Sequence, residues 1–407
     1  MLHLLLGVLL ACQAADAAEV ELPAPAGPFK TGRTSFHWQD AARDELETSA
    51  ADDKRELMVH LFYPADADAT GERAVYVPDA DAMRGPWNPE QLARITALRA
   101  YSLESPPPAA GDARFPVAIF SPGGGMKGLT YHVLLEDLAS HGWVVAAIDP
   151  PYNARAVRLP DGRVLGGLKP AEKGWPEPKS PEDFQRFYIE RIGHWARDVS
   201  FVIDRLVELD AGDGPLARRL DLARGVGACG HSRGGQAASA VRVVDERVRG
   251  GINLDGTTPY AVLPIKPDAG SGAQPFLWIQ QQLPPPPSDE QLKRAGRTRA
   301  EYDAEVEKLL SGWRRQLGEI TEGALRVTLA RQGLTHIDFS DEPFWDGNMT
   351  ADSRPGKLQT IAETRAWILA FFDATVCGRW AALKKLAEAP ENQSAGITVE
   401  TFGKLWQ

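Results

Sequence analysis

Gly230-His231-Ser232-Arg233-Gly234 sets a serine between glycines two positions before and two positions after it. A serine exposed on a tight strand-to-helix turn needs a backbone path that side chains would obstruct, so glycine is favoured at both places. The chemistry implied is attack of a hydroxyl on a carbonyl, which needs a base. His336 is the only histidine C-terminal to Ser232, and it follows an expected strand at Leu325 to Leu329 and a Gly333-Leu334-Thr335 loop. Such a base is oriented by a carboxylate. Asp255 ends the apolar run Ile252-Asn253-Leu254, which puts it on the sheet edge where the serine should also emerge. The next expected strand, Pro275 to Gln280, runs into glutamines and prolines and offers no acid, while Asp303 and Glu305 read as solvated helix-surface groups. The developing oxyanion needs two backbone N–H donors. Arg233 supplies one, and Ser121-Pro122-Gly123-Gly124-Gly125-Met126 supplies the other through Gly124, with Gly125 as the alternative.

The same loop fits a second pattern. Gly123, Gly125 and Gly128 match G-x-G-x-x-G after a strand and before a helix, and Asp149 ends the next strand, as in a dinucleotide fingerprint. This makes an NAD(P)-dependent oxidoreductase the first alternative. Against it, the loop opens with proline, two strand-like segments precede it, and the ordered Ser232, Asp255 and His336 would go unexplained. A non-catalytic binding protein on the same scaffold is the second alternative. No His-Glu-x-x-His helix and no paired-cysteine spacing calls for a metal, and His132, His141 and His194 read as structural groups. Neither a cofactor nor a metal is expected.

The elements that must position these residues alternate between strand and helix. Leu57 to Tyr63 and Ala74 to Val77 read as antiparallel leading strands, and Phe115 to Ser121, Tyr131 to Ser140 and Trp143 to Ile148 form a βαβ unit. Ser180-Pro181-Glu182-Asp183 is a helix start, followed at helical spacing by Phe184, Tyr188, Ile192, Trp195, Val199, Val202 and Leu206. Strands at Val226 to Cys229, Gly251 to Leu254 and Pro275 to Gln280 come next. A helical insertion over 283–320, with Tyr302, Val306, Leu309, Leu310, Trp313 and Leu317 on one face, precedes the final strand and is either a lid or cover for one sheet edge. A helix over Leu358 to Val376 closes the domain. The expected class is α/β, with a mostly parallel central sheet flanked by helices, organised as one catalytic domain over 19–380 and a peripheral tail over 381–407.

The composition fits a globular enzyme: 43% of the 407 residues are hydrophobic and 25% charged. A net charge of −10 without a basic run argues against a nucleic-acid partner. Leu4 to Ala11 is a short apolar run followed by small residues, which reads as an export leader over 1–18. Leu9-Leu10-Ala11-Cys12 also resembles a lipobox, and a lipid anchor at Cys12 would hold the chain at a membrane face. Cys229 and Cys377 are left, both in apolar settings, so no disulfide is expected.

With these residues in place, the chain resembles the α/β-hydrolase superfamily and, within it, the plasma-type platelet-activating factor acetylhydrolases and their bacterial relatives. Phe120 to Gly125 is similar to that family's Phe-Ser-His-Gly oxyanion loop, and Ala196 to Val202 looks like its helix ahead of the nucleophile strand. Gly230 to Gly235 resembles its elbow, Asp255 its acid, and His336-Ile337-Asp338-Phe339-Ser340-Asp341 its histidine segment. Pro122 stands where the family has histidine, and Arg233 where it has an apolar residue. The resemblance implies a serine esterase acting on a small-molecule ester of short acyl chain. Lipid-like acetyl esters, polyester fragments and xenobiotic esters all fit, because loops and the insertion build the pocket.

Overall fold

The computed structural model describes residues 21–83, 87–166, 173–175, 179–256, 274–282, 285–319, 323–403 and 405. The leader expected over 1–18, with Cys12, lies outside the described residues. So do 283–284 and 320 of the insertion.

Long β-branched and apolar runs give strands buried on both faces, and these make the centre of one sheet. Its order among the described residues is β13-β12-β11-β10-β9-β5-β6-β2-β1-β4-β3. β1 (Thr31–Asp44) and β2 (Lys54–Pro64) form a long antiparallel pair, and β3 (Arg73–Val75) and β4 (Arg99–Glu104) extend that edge, with α1 (Pro89–Ala97) between them. β5 (Val117–Ser121), α2 (His132–Ser140) and β6 (Val144–Asp149) are the expected βαβ unit, and β6 runs antiparallel to β2. A small hairpin, β7 (Val157–Arg158) and β8 (Val164–Leu165), follows. α3 (Pro181–Ala211) starts where Ser180 accepts from the Asp183 N–H, with proline in its first turn.

β9 (Val226–His231), α4 (Arg233–Val244), β10 (Val248–Leu254), β11 (Phe276–Gln281) and β12 (Gly323–Leu329) complete the parallel part. Register aligns the strand ends: Ser121 faces Gly230, His231 faces Leu254, Leu254 faces Ile279, and Gln281 faces Leu329. The loops that follow β5, β9, β10, β11 and β12 therefore leave one edge side by side. In open α/β sheets ligands bind at that edge.

The core lies in two layers. Trp367, Ile368 and Phe371 of α7 (Arg354–Thr375) pack with Leu135 and Leu138 of α2 on one face, and Trp195, Val199 and Val202 of α3 pack with Ala237 and Val241 of α4 on the other. Within the insertion, α5 (Asp289–Arg294) starts at a Ser288 capping box, and α6 (Arg299–Glu319) lies against β12 and β13 at the sheet edge. Tyr302 and Val306 are half-buried there. The side chains of Leu309, Leu310, Trp313 and Leu317 lie outside those described.

One expectation is corrected. Residues 381–407 are not a peripheral tail, since α8 (Trp380–Ala387) buries Leu383 and β13 (Ile397–Gly403) pairs antiparallel with β12 from Gly323↔Gly403 to Leu329↔Ile397. Leu325 to Leu329 is thus not the last strand. Ile397, Val399 and Leu405 place apolar groups against the core within a polar stretch whose composition hides them.

The long β1–β2 pair is fastened to α3 by a fully buried Arg55. Its guanidinium donates to Asp198 at 3.1 and 2.6 Å and to Glu45 at 2.7 Å, while Arg43 also reaches Asp198 at 3.0 Å. Burial alone would lower the Arg55 pKa, but Asp198 and Glu45 outweigh it and hold it above the ordinary range. Removing one partner of such a pair leaves an uncompensated buried charge, which costs about 3–5 kcal/mol. Asp198→Ala is accordingly expected to lower the unfolding free energy by about that much, read as a reduced urea midpoint.

Candidate active site

β9 runs directly into Ser232, and α4 begins at the next residue. Ser232 adopts φ 54° and ψ −118°, a left-handed backbone that non-glycine residues rarely take and that collects at functional turns. The flanking glycines are required by contact: a β-carbon at Gly230 would strike the backbone of Gly234, and one at Gly234 would strike the carbonyls of Ser121 and Pro122. The Ser232 N–H donates to the Leu254 carbonyl at 2.8 Å. Its own carbonyl sits where a β-carbon on Gly256 would fall. The serine is half-buried and stands at the N-terminus of α4, where the helix end favours negative charge.

Asp255 follows Leu254 with φ 52°, and the carboxylate accepts three hydrogen bonds. These come from the Gln281 N–H at 3.0 Å, Gln281 Nε2 at 2.8 Å, and His336 Nδ1 at 2.6 Å. Gln281 was not singled out in the sequence, where the glutamines ending β11 counted only as the absence of an acid. They are what clamps the acid of the neighbouring strand.

His336 opens a short 3₁₀ turn, His336–Phe339, fixed by Asp338, whose carboxylate accepts from the Thr335 N–H at 2.6 Å and hydroxyl at 2.9 Å and pairs with Lys357. Asp341 ties the far end of the segment to α2 through the Val133 N–H (3.2 Å) and to the Tyr76 hydroxyl (3.0 Å). Burial pushes the Asp341 pKa well up. The His336 ring is half-exposed and packs on the ring of His231, centroids 4.5 Å apart. The expected base, its acid and the residue before the serine therefore meet. With Nδ1 given to Asp255, Nε2 is left for proton transfer.

The glycine loop lies across β9's end. Gly123 donates to the Tyr131 hydroxyl (3.0 Å), Gly125 to the Asn153 carbonyl (2.9 Å) and Met126 to the Gly123 carbonyl (3.1 Å). No acceptor for the Gly124 N–H occurs among the described residues. Arg233, first residue of α4, likewise has an N–H without an intrahelical partner. Tyr131 also bonds His231 Nδ1 at 2.7 Å, so one phenol braces the loop and the elbow together. Neither Tyr131 nor His231 stood out in the sequence, since a tyrosine in a helix start and the variable residue of the elbow carry no signal of their own.

The dinucleotide alternative fails on Asp149. That carboxylate is fully buried and accepts from the Gly128 N–H at 2.5 Å, with Lys127 at 3.0 Å and His60 at 3.3 Å. Lys127 and His60 outweigh burial and hold its pKa below the usual range, and no oxygen is left for a ribose hydroxyl. The same saturation disposes of a second serine–histidine–aspartate line, Ser35–His60–Asp149, whose serine is mid-strand in β1 rather than on a turn that gathers N–H donors. His132 bonds the Tyr76 carbonyl (2.9 Å) and His141 the Asp137 carbonyl (2.8 Å), as structural groups do. Among the described residues no three His, Cys, Asp or Glu side chains are grouped to hold a metal ion.

A family model described as platelet-activating factor acetylhydrolase, isoform II, matches residues 14–152, which take in the glycine loop but end before Ser232. A probable 1-alkyl-2-acetylglycerophosphocholine esterase of Arthroderma benhamiae is 28% identical over 254 residues, 58% of this chain. The chain spans 58% of the length of that curated relative. A ferulic acid esterase from Streptomyces cinnamoneus superposes with a TM-score of 0.68 at 27% identity, covering 94% of this chain and 99% of that one. The fold is that of an α/β-hydrolase. Within that class the chain resembles the platelet-activating factor acetylhydrolases.

Two measurements follow from the site's hydrogen bonds. Gln281→Ala removes one of the donors that orient Asp255, and kcat for an ester should fall roughly tenfold, the worth of about one charge-assisted bond, while Tm changes little. Burial and the nearby His336 push the His231 pKa down to about 3, below the ordinary 6.5. A neutral His231 therefore contributes stability that is complete above pH 6.5 and is lost as pH falls towards about 3. Unfolding free energy measured between pH 6.5 and 4 should drop less steeply in His231→Gln than in the parent.

Proposed function

We propose that the chain is a serine carboxylic-ester hydrolase working through an acyl-enzyme. The observation that carries this is His336, which lies 81 positions beyond Asp255 in the chain yet stands 2.6 Å from it and is laid on the residue that precedes an elbow serine. The names of the two relatives, both esterases, point the same way.

In this reading the Ser232 hydroxyl attacks the ester carbonyl as His336 Nε2 takes its proton. The C–O π bond opens, and the oxyanion is received by the N–H groups of Gly124 and Arg233, with the N-terminus of α4 behind them. Asp255 keeps the Nδ1–H tautomer and stabilises the imidazolium. Collapse expels the alcohol, which leaves with the proton from His336. Water then attacks the acyl-enzyme with His336 as base, releasing the acid and restoring Ser232. Short acyl esters are the expected substrates.

Ser232→Ala should lower turnover of 4-nitrophenyl acetate by about 10⁴- to 10⁶-fold and abolish labelling by a fluorophosphonate. Full activity, or unimpaired labelling, in that variant would remove the assignment.

A further inference from the structure

Arg233 brings more than a backbone N–H to the site. A β-carbon on Gly124 would stand 2.9 Å from Arg233 Cδ, 3.0 Å from Nε and 3.1 Å from Cζ. The arginine side chain thus takes the space that a residue 124 side chain would fill, beside the N–H assigned to the oxyanion. Tyr188 of α3 engages both Arg233 and Gln236 through its hydroxyl, and since burial raises the Tyr188 pKa, it is a neutral partner that holds the cation without cancelling it.

Arg155 reaches the same loop at the next residue. A β-carbon on Gly125, which has φ +81°, would stand 3.4 Å from Arg155 Nε and 3.8 Å from its Cγ. The bond from the Gly125 N–H to the Asn153 carbonyl fixes that stretch of chain against the loop. Both arginines are exposed, and among the described residues neither is salt-bridged to a carboxylate. Arg155 acts on the half-buried Glu342, whose pKa burial and the neighbouring Asp346 nonetheless raise. The third cation nearby, Lys127, is buried and taken up by Asp79 and Asp149.

A neutral ester has no use for two guanidinium-bearing side chains laid against adjacent residues, Gly124 and Gly125, of its carbonyl-binding loop. An anion reverses that, because each guanidinium presents a planar fork that matches carboxylate or phosphate oxygens. On the reading of the chain as an esterase, we propose that Arg233 and Arg155 form an anion subsite, and that the preferred esters carry a carboxylate or phosphate group a few bonds from the scissile carbonyl.

The test compares mono-4-nitrophenyl glutarate with its methyl ester, which has the same reach and no charge. The parent enzyme should favour the anionic ester by roughly tenfold or more in kcat/KM at about 20 mM NaCl, and this ratio should shrink by about 0.5 M NaCl as screening sets in. Arg155→Gln and Arg233→Gln should each lower the ratio, and together bring it close to one. Competitive inhibition of methyl-ester hydrolysis by glutarate alone assigns the subsite to carboxylates; inhibition by glycerol 3-phosphate alone assigns it to phosphates. A ratio near one in the parent, or a preference that survives both substitutions, overturns the subsite and leaves the esterase standing. Failure to hydrolyse either ester overturns both.

Discussion

The left-handed backbone of Ser232 is the constraint on which the rest of the site depends. Such a conformation costs on the order of 1–3 kcal/mol and persists only where its surroundings over-determine it. Here three contacts do so: the close approach of Gly230 to Gly234, the wedge of Gly234 under Ser121 and Pro122, and the bond from the Ser232 N–H to Leu254. The last two contacts also tie neighbouring strands to the elbow. Gly234 joins it to the end of β5, where the glycine loop begins, and Leu254 joins it to β10, one residue before Asp255. The contacts that hold the serine therefore also set its distances to the glycine loop and to Asp255.

Two kinds of polar support lie beneath this turn, and they differ in charge for a physical reason. Between the elbow and the glycine loop the connection is Tyr131 with a His231 kept neutral by burial, so this connection carries no net charge. Farther out, Arg55 donates to Asp198 and Glu45 at once; the arginine holds the Asp198 pKa below its usual range, whereas burial still raises that of Glu45. The neutral pair joins the elbow to the glycine loop. The ionic cluster holds α3 to the β1–β2 pair.

Much of this was legible in the sequence because the informative residues obey local rules. The Ser180 cap, the stripe of α3, the glycines of the elbow and the order serine, aspartate, histidine each state a requirement of backbone or spacing. What was hidden arises only when strands come together. Gln281 is a polar strand end until β11 lies beside β10; then both its donors meet Asp255. Thr31 to Asp44 mixes polar and apolar residues because its face is only partly covered, and so β1 gave no clean alternation. β13 was concealed by the same mixture, its inward residues being spaced among the polar Thr398, Glu400 and Thr401.

The placement of β13 has a consequence for how the protein is made. The chain that carries His336 leaves β12, and the Ala330 N–H at its exit is bonded to the Gly396 carbonyl, at the entrance to β13. Synthesis runs from the N-terminus, and segments fold as they emerge. The Ala330 flank of the histidine loop gains its backbone partner only once β13 has been released, whereas the far flank is held by the bond from the Asp341 N–H to the Thr130 carbonyl. Release of β13 thus completes one of the two anchors of the histidine loop, and a chain truncated before that strand would keep the anchor at Asp341 and lose the one at Ala330.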